Sequence, residues 1–206
     1  MKTADDATHK LTPKGRATRE RIVAVAAALT YERGVAGTST EGVREAAGVS
    51  ASRLYHYFDS KQALLRAVIA RRADAVLAAQ QPHLGQSDSL DAPRAWRDHV
   101  VARRRRRDHQ GGCPLGTLSC ELAGTWPEAR ADLLGGFGRW EGGLRRGLRA
   151  MRDRGGLRAD ADPDRLALAL LASVHGGLLL NQVRQDTAAL EAALDTTLAQ
   201  IASLVP

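Results

Sequence analysis

Isoleucine occurs three times in the 206 residues and aromatic side chains eight times. A β-sheet covers its pleated faces with β-branched and aromatic residues, so this scarcity argues against an all-β chain and against a doubly wound parallel sheet. Cysteine is scarcer still. Cys113 and Cys120 are too few for a disulfide scaffold and point to a reducing compartment. Long apolar runs are also missing: the most apolar stretch, Leu166 to Leu180, is 15 residues long and holds Ser173 and His175. Spanning a bilayer takes about 20 predominantly apolar residues. Met1 to Leu11 is polar and mixed in charge, without the apolar segment of an export signal. A cytoplasmic chain with no membrane partner is therefore expected. The sequence also lacks a G-x-S-x-G elbow, a G-x-G-x-x-G turn, a Walker loop and an H-E-x-x-H pair, so neither an enzyme nor a cofactor is expected.

What is abundant is alanine and leucine, which together fill 63 of the 206 positions and are among the residues most favourable in helix. The seven prolines flank the Ala/Leu-rich periodic stretches and none lies inside one, as helix interiors require. Apolar residues at three- and four-residue spacing mark about nine helices and no strand. Ile22, Val25, Ala26 and Leu29 give a first helix over 14–33, ended at Gly34. Thr38 and Glu41 stand three apart, as in a capping box, before a short helix ending near Ala47. A second short helix covers 51–57, and Asp59 or Ser60 caps a longer fourth helix from Lys61. Further helices are read over 92–108 and 115–123. A long one after Pro127 carries Leu133, Phe137, Trp140, Leu144, Leu148 and Met151 on one face. Asp162-Pro163 opens the eighth, to about Arg184. The ninth, 187–204, aligns Leu190, Leu194, Leu198 and Ile201 on one stripe. Such a stripe exposed on a monomer would be unusual, so a homodimer through the eighth and ninth helices is expected.

Charge is unevenly shared. Residues 1–72 hold 13 Lys/Arg against 7 Asp/Glu, while residues 73–206 hold 17 against 16. A basic N-terminal unit on a near-neutral body suggests that one end meets a polyanion. A basic surface without a partner is the plain alternative. The segment TSTEGVREAAGVSASRLYHYFDSK (38–61) resolves this. Two short helices flank a glycine-containing three-residue turn, the helix-turn-helix arrangement. Val43, Ala47, Val49 and Leu54 can pack the two helices together. Ser50, Ser52, Arg53 and His56 are left on the outer face of the second, where small polar and cationic groups reach base edges and phosphates in a major groove. Phe58 reads as local core. Tyr55 and Tyr57 can pack too, but their hydroxyls can also bond phosphate oxygens.

Residues 14–70, with Gly34, the Thr/Ser pair before the second helix, Ala47-Gly48-Val49-Ser50, Leu54-Tyr55-His56-Tyr57-Phe58 and Lys61, resemble the DNA-binding domain of the tetracycline-repressor (TetR) family. The resemblance implies DNA-backbone contacts from Thr40, Tyr55, His56, Tyr57 and Lys61. It implies recognition-helix positions for Ser50, Ser52 and Arg53, and Lys14 and Arg16 join them from the basic N-terminal arm. It further implies a homodimer that binds a double-stranded operator through residues 1–60. Residues 61–206 would then serve dimerisation and effector binding. Thr30 departs from the family's usual phenylalanine and would loosen the small core. Arg44 departs from its usual alanine, and would either touch a phosphate or face water. The segments GGCPLGTLSCELAG (111–124) and RWEGGLRRGLR (139–149) resemble the subgroup of multidrug- and flavonoid-responsive repressors.

For the body of the chain, a cavity between helices is the default ligand site. Its expected walls are Trp96, Leu118, Leu122, Trp126, Phe137, Trp140 and Leu179, with His99, Glu141 or His175 as orienting polar groups and a small apolar or aromatic effector. The same aromatics can equally be plain core, and His175 with Gly176-Gly177 can lie in the dimer interface. Arg103 to Arg107 reads as a solvated helix end favoured by the helix dipole. Cys113 and Cys120 read as buried thiols, since a metal or redox role would need His109 as a third ligand and fits no zinc spacing. The expected function is a repressor released from a palindromic operator by its effector. An enzyme carrying an incidental helix-turn-helix is the alternative.

Overall fold

The computed structural model of the chain describes residues 11–80, 90–106 and 112–206, and these form nine α-helices and no strand. They are α1 (Pro13–Arg33), α2 (Thr40–Ala47), α3 (Ala51–Tyr57), α4 (Lys61–Ala78), α5 (Asp91–Arg105), α6 (Pro114–Leu122), α7 (Pro127–Asp153), α8 (Pro163–Arg184) and α9 (Ala188–Ala202).

Short polar side chains start five of these helices by accepting otherwise orphaned backbone N–H bonds. Thr12 accepts from Gly15, Ser39 from Gly42, Ser50 from Arg53, Ser60 from Ala63, and Asp162 from Asp164 and Arg165. The expected Thr38/Glu41 capping box does not form. Thr38 is buried and its hydroxyl donates to the Gly34 carbonyl at 2.8 Å. Ser39 takes the cap instead, and Glu41 pairs with Arg44.

One continuous apolar core runs from Ile22 in α1 to Ile201 in α9. α4 is its spine, packing on α1 on one side and on α6 and α7 on the other. α8 lies between α7 and α9, and α9 reaches back to α5. The leucine stripe of α9 was expected to face a partner. Leu190, Leu194, Leu198 and Ile201 are instead buried within the chain. They form the seam of α9 on α8, and Gly177 is what brings the two backbones together: a β-carbon there would lie 2.6 Å from Leu190 Cα. Periodicity identified the apolar face but not the neighbour it meets.

Among the described residues, most of the large aliphatic side chains that do face outward are on α8, with Leu134 of α7 and Val205 the others. Leu168, Leu179, Leu180 and Val183 are about half or more exposed, while Leu166, Leu170, Leu171, Val174 and Leu178 are buried. At 22 residues α8 is, by length and composition, apolar enough to cross a membrane, although the sequence suggested a shorter run. Its buried face packs on α7 and α9, as a core helix does.

Candidate nucleic-acid interface and effector cavity

The α2–α3 unit is built by its turn. Gly48 adopts the left-handed conformation (φ 61°, ψ 45°), which costs little without a β-carbon, and its N–H closes on the Glu45 carbonyl at 3.0 Å. Val43, Ala47, Val49 and Leu54 are buried between the helices. With Leu54 and Phe58 inward, Ser50, Ser52, Arg53, Tyr55 and His56 are all left exposed. Ser50 also works inside the chain: its Oγ caps α3 and lies 3.2 Å from Ser52 Oγ. Arg53 has no side-chain bond within the described residues and projects from the first turn of α3.

The other candidates surround this face. Thr40 opens α2 half-buried, and Tyr57 is half-buried against the core with its ring edge-on to His56. Lys14 and Arg16 are exposed at the start of α1, where Arg16 bonds the Leu11 carbonyl at 2.7 Å. Lys61 Nζ donates to the Val35 carbonyl at 3.0 Å, pinning the α1–α2 turn to the first residue of α4. Arg44 is spent within the motif, on Glu41 and on the Val49 carbonyl at 3.4 Å.

Val35 is a junction. Its carbonyl takes Lys61, and its N–H donates to Glu121 Oε2 of α6 at 2.7 Å. A second junction lies deeper. Arg72 of α4 is buried, and its guanidinium donates to the Ala27 carbonyl at 2.5 Å, Thr30 Oγ1 at 3.2 Å and the Pro114 carbonyl at 3.2 Å. It also stacks over the Tyr31 ring, whose hydroxyl donates to the Gly112 carbonyl at 3.4 Å. Thr30 was expected to loosen the core where phenylalanine is usual. Its hydroxyl is instead satisfied on both sides, donating to the Ala26 carbonyl and accepting from Arg72. α6 is thus tied at its C-terminal end to the α1–α2 turn that leads into the helix-turn-helix and at its N-terminal end to α1 through α4.

The N-terminus of α6 opens onto a cavity of about 50 Å³ lined by Val76, Ala79, Gln80, His99, Val100, Arg103, Arg104, Cys113, Pro114, Trp140, Val174 and Leu178. Of the expected pocket residues, His99 and Trp140 line it. Trp96 is fully buried behind it, with its indole N–H on Gln80 Oε1 at 2.6 Å. His175 stands beside it, its ring 4.9 Å from Phe137 and 5.0 Å from Trp140, both edge-on. Leu118 and Leu122 are buried core on α6, and Trp126 is half-buried at the start of α7. Glu141 pairs with Arg145 at 3.6 Å, and Leu179 points outward. The three tryptophans therefore do not surround one space. A wider, open groove of about 380 Å³ lies between α5 and α9, with Arg94 and Arg97 on its wall; Arg97 is already paired with Asp195 at 2.8 Å and with Glu191.

Cys113 and His175 face each other. Burial pushes the Cys113 thiol up, but the His175 imidazole and the Gly116 and Leu115 amides at the N-terminus of α6 more than offset this, leaving it below the ordinary thiol value. Burial likewise opposes charge on His175, and Cys113 and the Leu171 carbonyl outweigh it, so its pKa is raised. Cys120, seven residues on, is exposed. Among the described residues no three His, Cys, Asp or Glu side chains gather to hold a metal, and His109 lies outside them. The Arg103–Arg107 run is not one solvated helix end. Arg104 is buried and bonds the Gly112 carbonyl, Arg103 lines the cavity, Arg105 pairs with Glu191, and Arg107 lies outside the described residues. Gln80, Arg104 and Cys113 carry no periodic signal. The one local hint is Pro114, whose place at the first turn of α6 makes Cys113 the capping residue.

Comparison with known proteins agrees with this architecture. Residues 22–68 match the family described as bacterial regulatory proteins, tetR family, and residues 90–197 match the tetracyclin repressor-like C-terminal domain. An uncharacterized HTH-type transcriptional regulator from Lactococcus lactis is 29% identical over 186 residues, 87% of this chain and 91% of that protein. The HTH-type transcriptional repressor DhaR of a Mycobacterium species is 26% identical over 168 residues, 82% of this chain and 84% of that protein. The crystal structure of a TetR transcriptional regulator from Chloroflexus aurantiacus superimposes with a TM-score of 0.81 and 29% identity, covering 94% of this chain and 98% of that one. With its helix-turn-helix presented by α2 and α3 and more than half of its length matching the C-terminal domain, this chain belongs to the TetR family of DNA-binding transcriptional regulators.

Proposed function

We propose that the chain is a cytoplasmic, homodimeric repressor that leaves a palindromic operator when a small effector enters the cavity at the N-terminus of α6. The observation that supports this reading best is the double attachment of α6. Its first residue bonds Arg72 and its residue Glu121 bonds the N–H of Val35, so a shift of α6 at the cavity moves the base of the helix-turn-helix.

The exposed apolar face of α8, with Leu168, Leu179 and Val183, is the surface a second copy would cover, with α9 beside it. Two α3 helices then enter successive major grooves about 34–36 Å apart. Arg53, Ser50 and Ser52 read bases, while Lys14, Arg16, Thr40, Tyr55, His56, Tyr57 and Lys61 hold the backbone. An effector that binds only the conformer with the wrong spacing opposes DNA, and each ligand weakens the other by the same factor. Selection of duplexes from a random pool by the purified protein tests the reading. The expected product is a palindrome whose half-sites lie one helical turn apart. A pool that stays random, or enrichment of a single asymmetric site by a monomer, would contradict it.

A further inference from the structure

We infer that Cys113 and His175 form a covalent capture site for small soft electrophiles, an activated conjugated carbonyl being the class that fits best. This deepens the effector-cavity reading, on which it rests for any effect on DNA but not for the reaction itself.

Four observations converge on the site. Cys113 lines the cavity and caps α6, so the free amides of Leu115 and Gly116 face its sulfur, an arrangement that favours thiolate. His175 donates from Nδ1 to the Leu171 carbonyl at 2.7 Å, because a carbonyl can only accept. Nε2 is thereby left as the acceptor, and it is buried with no hydrogen-bond partner. Gly116 leaves the space between them open: a β-carbon there would lie 3.8 Å from both Cys113 Sγ and His175 Cδ2. Finally, Trp140 is 3% exposed and lines the cavity, yet its indole N–H has no acceptor. A ligand carbonyl oxygen would supply one.

The cavity's size restricts the ligand. At about 50 Å³ it has room for only a few non-hydrogen atoms, which suits an enal of four heavy atoms rather than a drug-sized ring. The chemistry closes without a further reactant. The imidazole takes the thiol proton, sulfur donates its electron pair to the β-carbon, and the C=C π electrons move onto the carbonyl, whose oxygen is held by the Trp140 N–H. The imidazolium then returns its proton to the α-carbon, leaving a thioether and a neutral imidazole. A metal site is the weaker use of this pair, since no third ligand side chain joins it among the described residues. The other charged or titratable groups facing the sulfur are Arg72 from α4 and His99, Arg103 and Arg104 from α5.

The test follows adduct formation with acrolein in the full-length protein. Two chains, Cys120→Ser and Cys113→Ser, each keep one thiol, and intact mass with peptide mapping reads each rate from pH 6 to pH 9. Although Cys120 is the exposed thiol, Cys113 is expected to react several-fold faster near pH 6.5, because its neighbours hold more of it as thiolate there. Its rate should level off below the ordinary thiol midpoint. His175→Asn in the Cys120→Ser chain should remove most of that advantage and move the midpoint up. Cys113 slower than Cys120 at every pH would overturn the inference, whatever the His175 variant does. So would an unchanged profile in a folded His175→Asn chain. If Cys113 is inert while the untreated protein still binds its selected operator, the inference falls and the repressor reading stands. If Cys113 reacts as expected in a protein that selects no DNA, the converse holds.

Discussion

On α3 the side chains of Ser52, Arg53, Tyr55 and His56 stand in solvent, whereas around the α6 cavity Arg72, Gln80 and Arg104 are buried and hydrogen-bonded. Both regions are rich in polar groups, but the groups serve different ends. Those on α3 are presented by a scaffold of caps and a glycine turn and take no part in holding the fold. Those around the cavity bond partners on other elements, Arg72 and Arg104 to backbone carbonyls and Gln80 to the Trp96 indole, because a buried donor or acceptor left unpaired costs about 1–3 kcal/mol. Substitution should therefore cost DNA binding in the first region, and stability and coupling in the second.

The largest effect is expected where burial is complete. Leu190 is 0% exposed at the α8–α9 seam, so Leu190→Ala should lower stability by about 2–5 kcal/mol while light scattering still reports a dimer. Val183, 75% exposed on the outer face of α8, should behave in the opposite way. Val183→Asp should give a folded species near the 22.1 kDa of one chain. If Leu190→Ala were harmless and Val183→Asp left the dimer intact, the assignment of inner and outer faces would be wrong.

Next is Arg72→Ala, which removes three buried hydrogen bonds, to Thr30 Oγ1 and to the Ala27 and Pro114 carbonyls, and should cost on the order of 3 kcal/mol in denaturant unfolding. Adding Thr30→Phe to it restores the family's usual residue and should recover part of that loss. No recovery in the double variant would mean that Thr30 and Arg72 do not act as a pair.

The smallest is a matter of pH. The Thr187 hydroxyl, followed by Arg105 and Arg97, holds the Glu191 carboxyl below the usual carboxylate range. A lowered folded-state pKa adds stability above the unfolded value that is lost as pH falls through the folded one. Glu191→Gln should thus remove a contribution of about 0.2–1 kcal/mol near neutral pH and flatten the acid limb of the stability curve. An unchanged acid limb would contradict it.

Much of this fold is local chemistry and therefore legible in the residues. Glycines and prolines end and begin the helices, Ser and Asp cap them, and the α2–α3 unit follows from Gly48 and four apolar positions. What is not legible is which distant partner a residue meets. Thr30 and Arg72 are 42 positions apart, and read alone Thr30 is simply a polar residue in a core. Leu190 to Ile201 show an apolar face whichever surface it covers. Cys113 and His175 lie on α6 and α8 with no spacing rule to join them. The helix-turn-helix face is the opposite case, because each of its candidate contacts lies within one short segment.

The separation of base reading from backbone anchoring is tested most directly by titrating Arg53→Ala and Lys61→Ala on the selected operator and on random duplex at several salt concentrations. Arg53, free on α3, is expected to pair with a guanine edge, so its loss should cost about 1–3 kcal/mol on the operator and little on random DNA. Lys61, fixed by the Val35 carbonyl at the head of α4, should weaken both duplexes alike. Its loss should flatten log K against log salt by about 2 for a dimer. Equal losses on both duplexes for Arg53→Ala would contradict the account and make Arg53 another phosphate anchor.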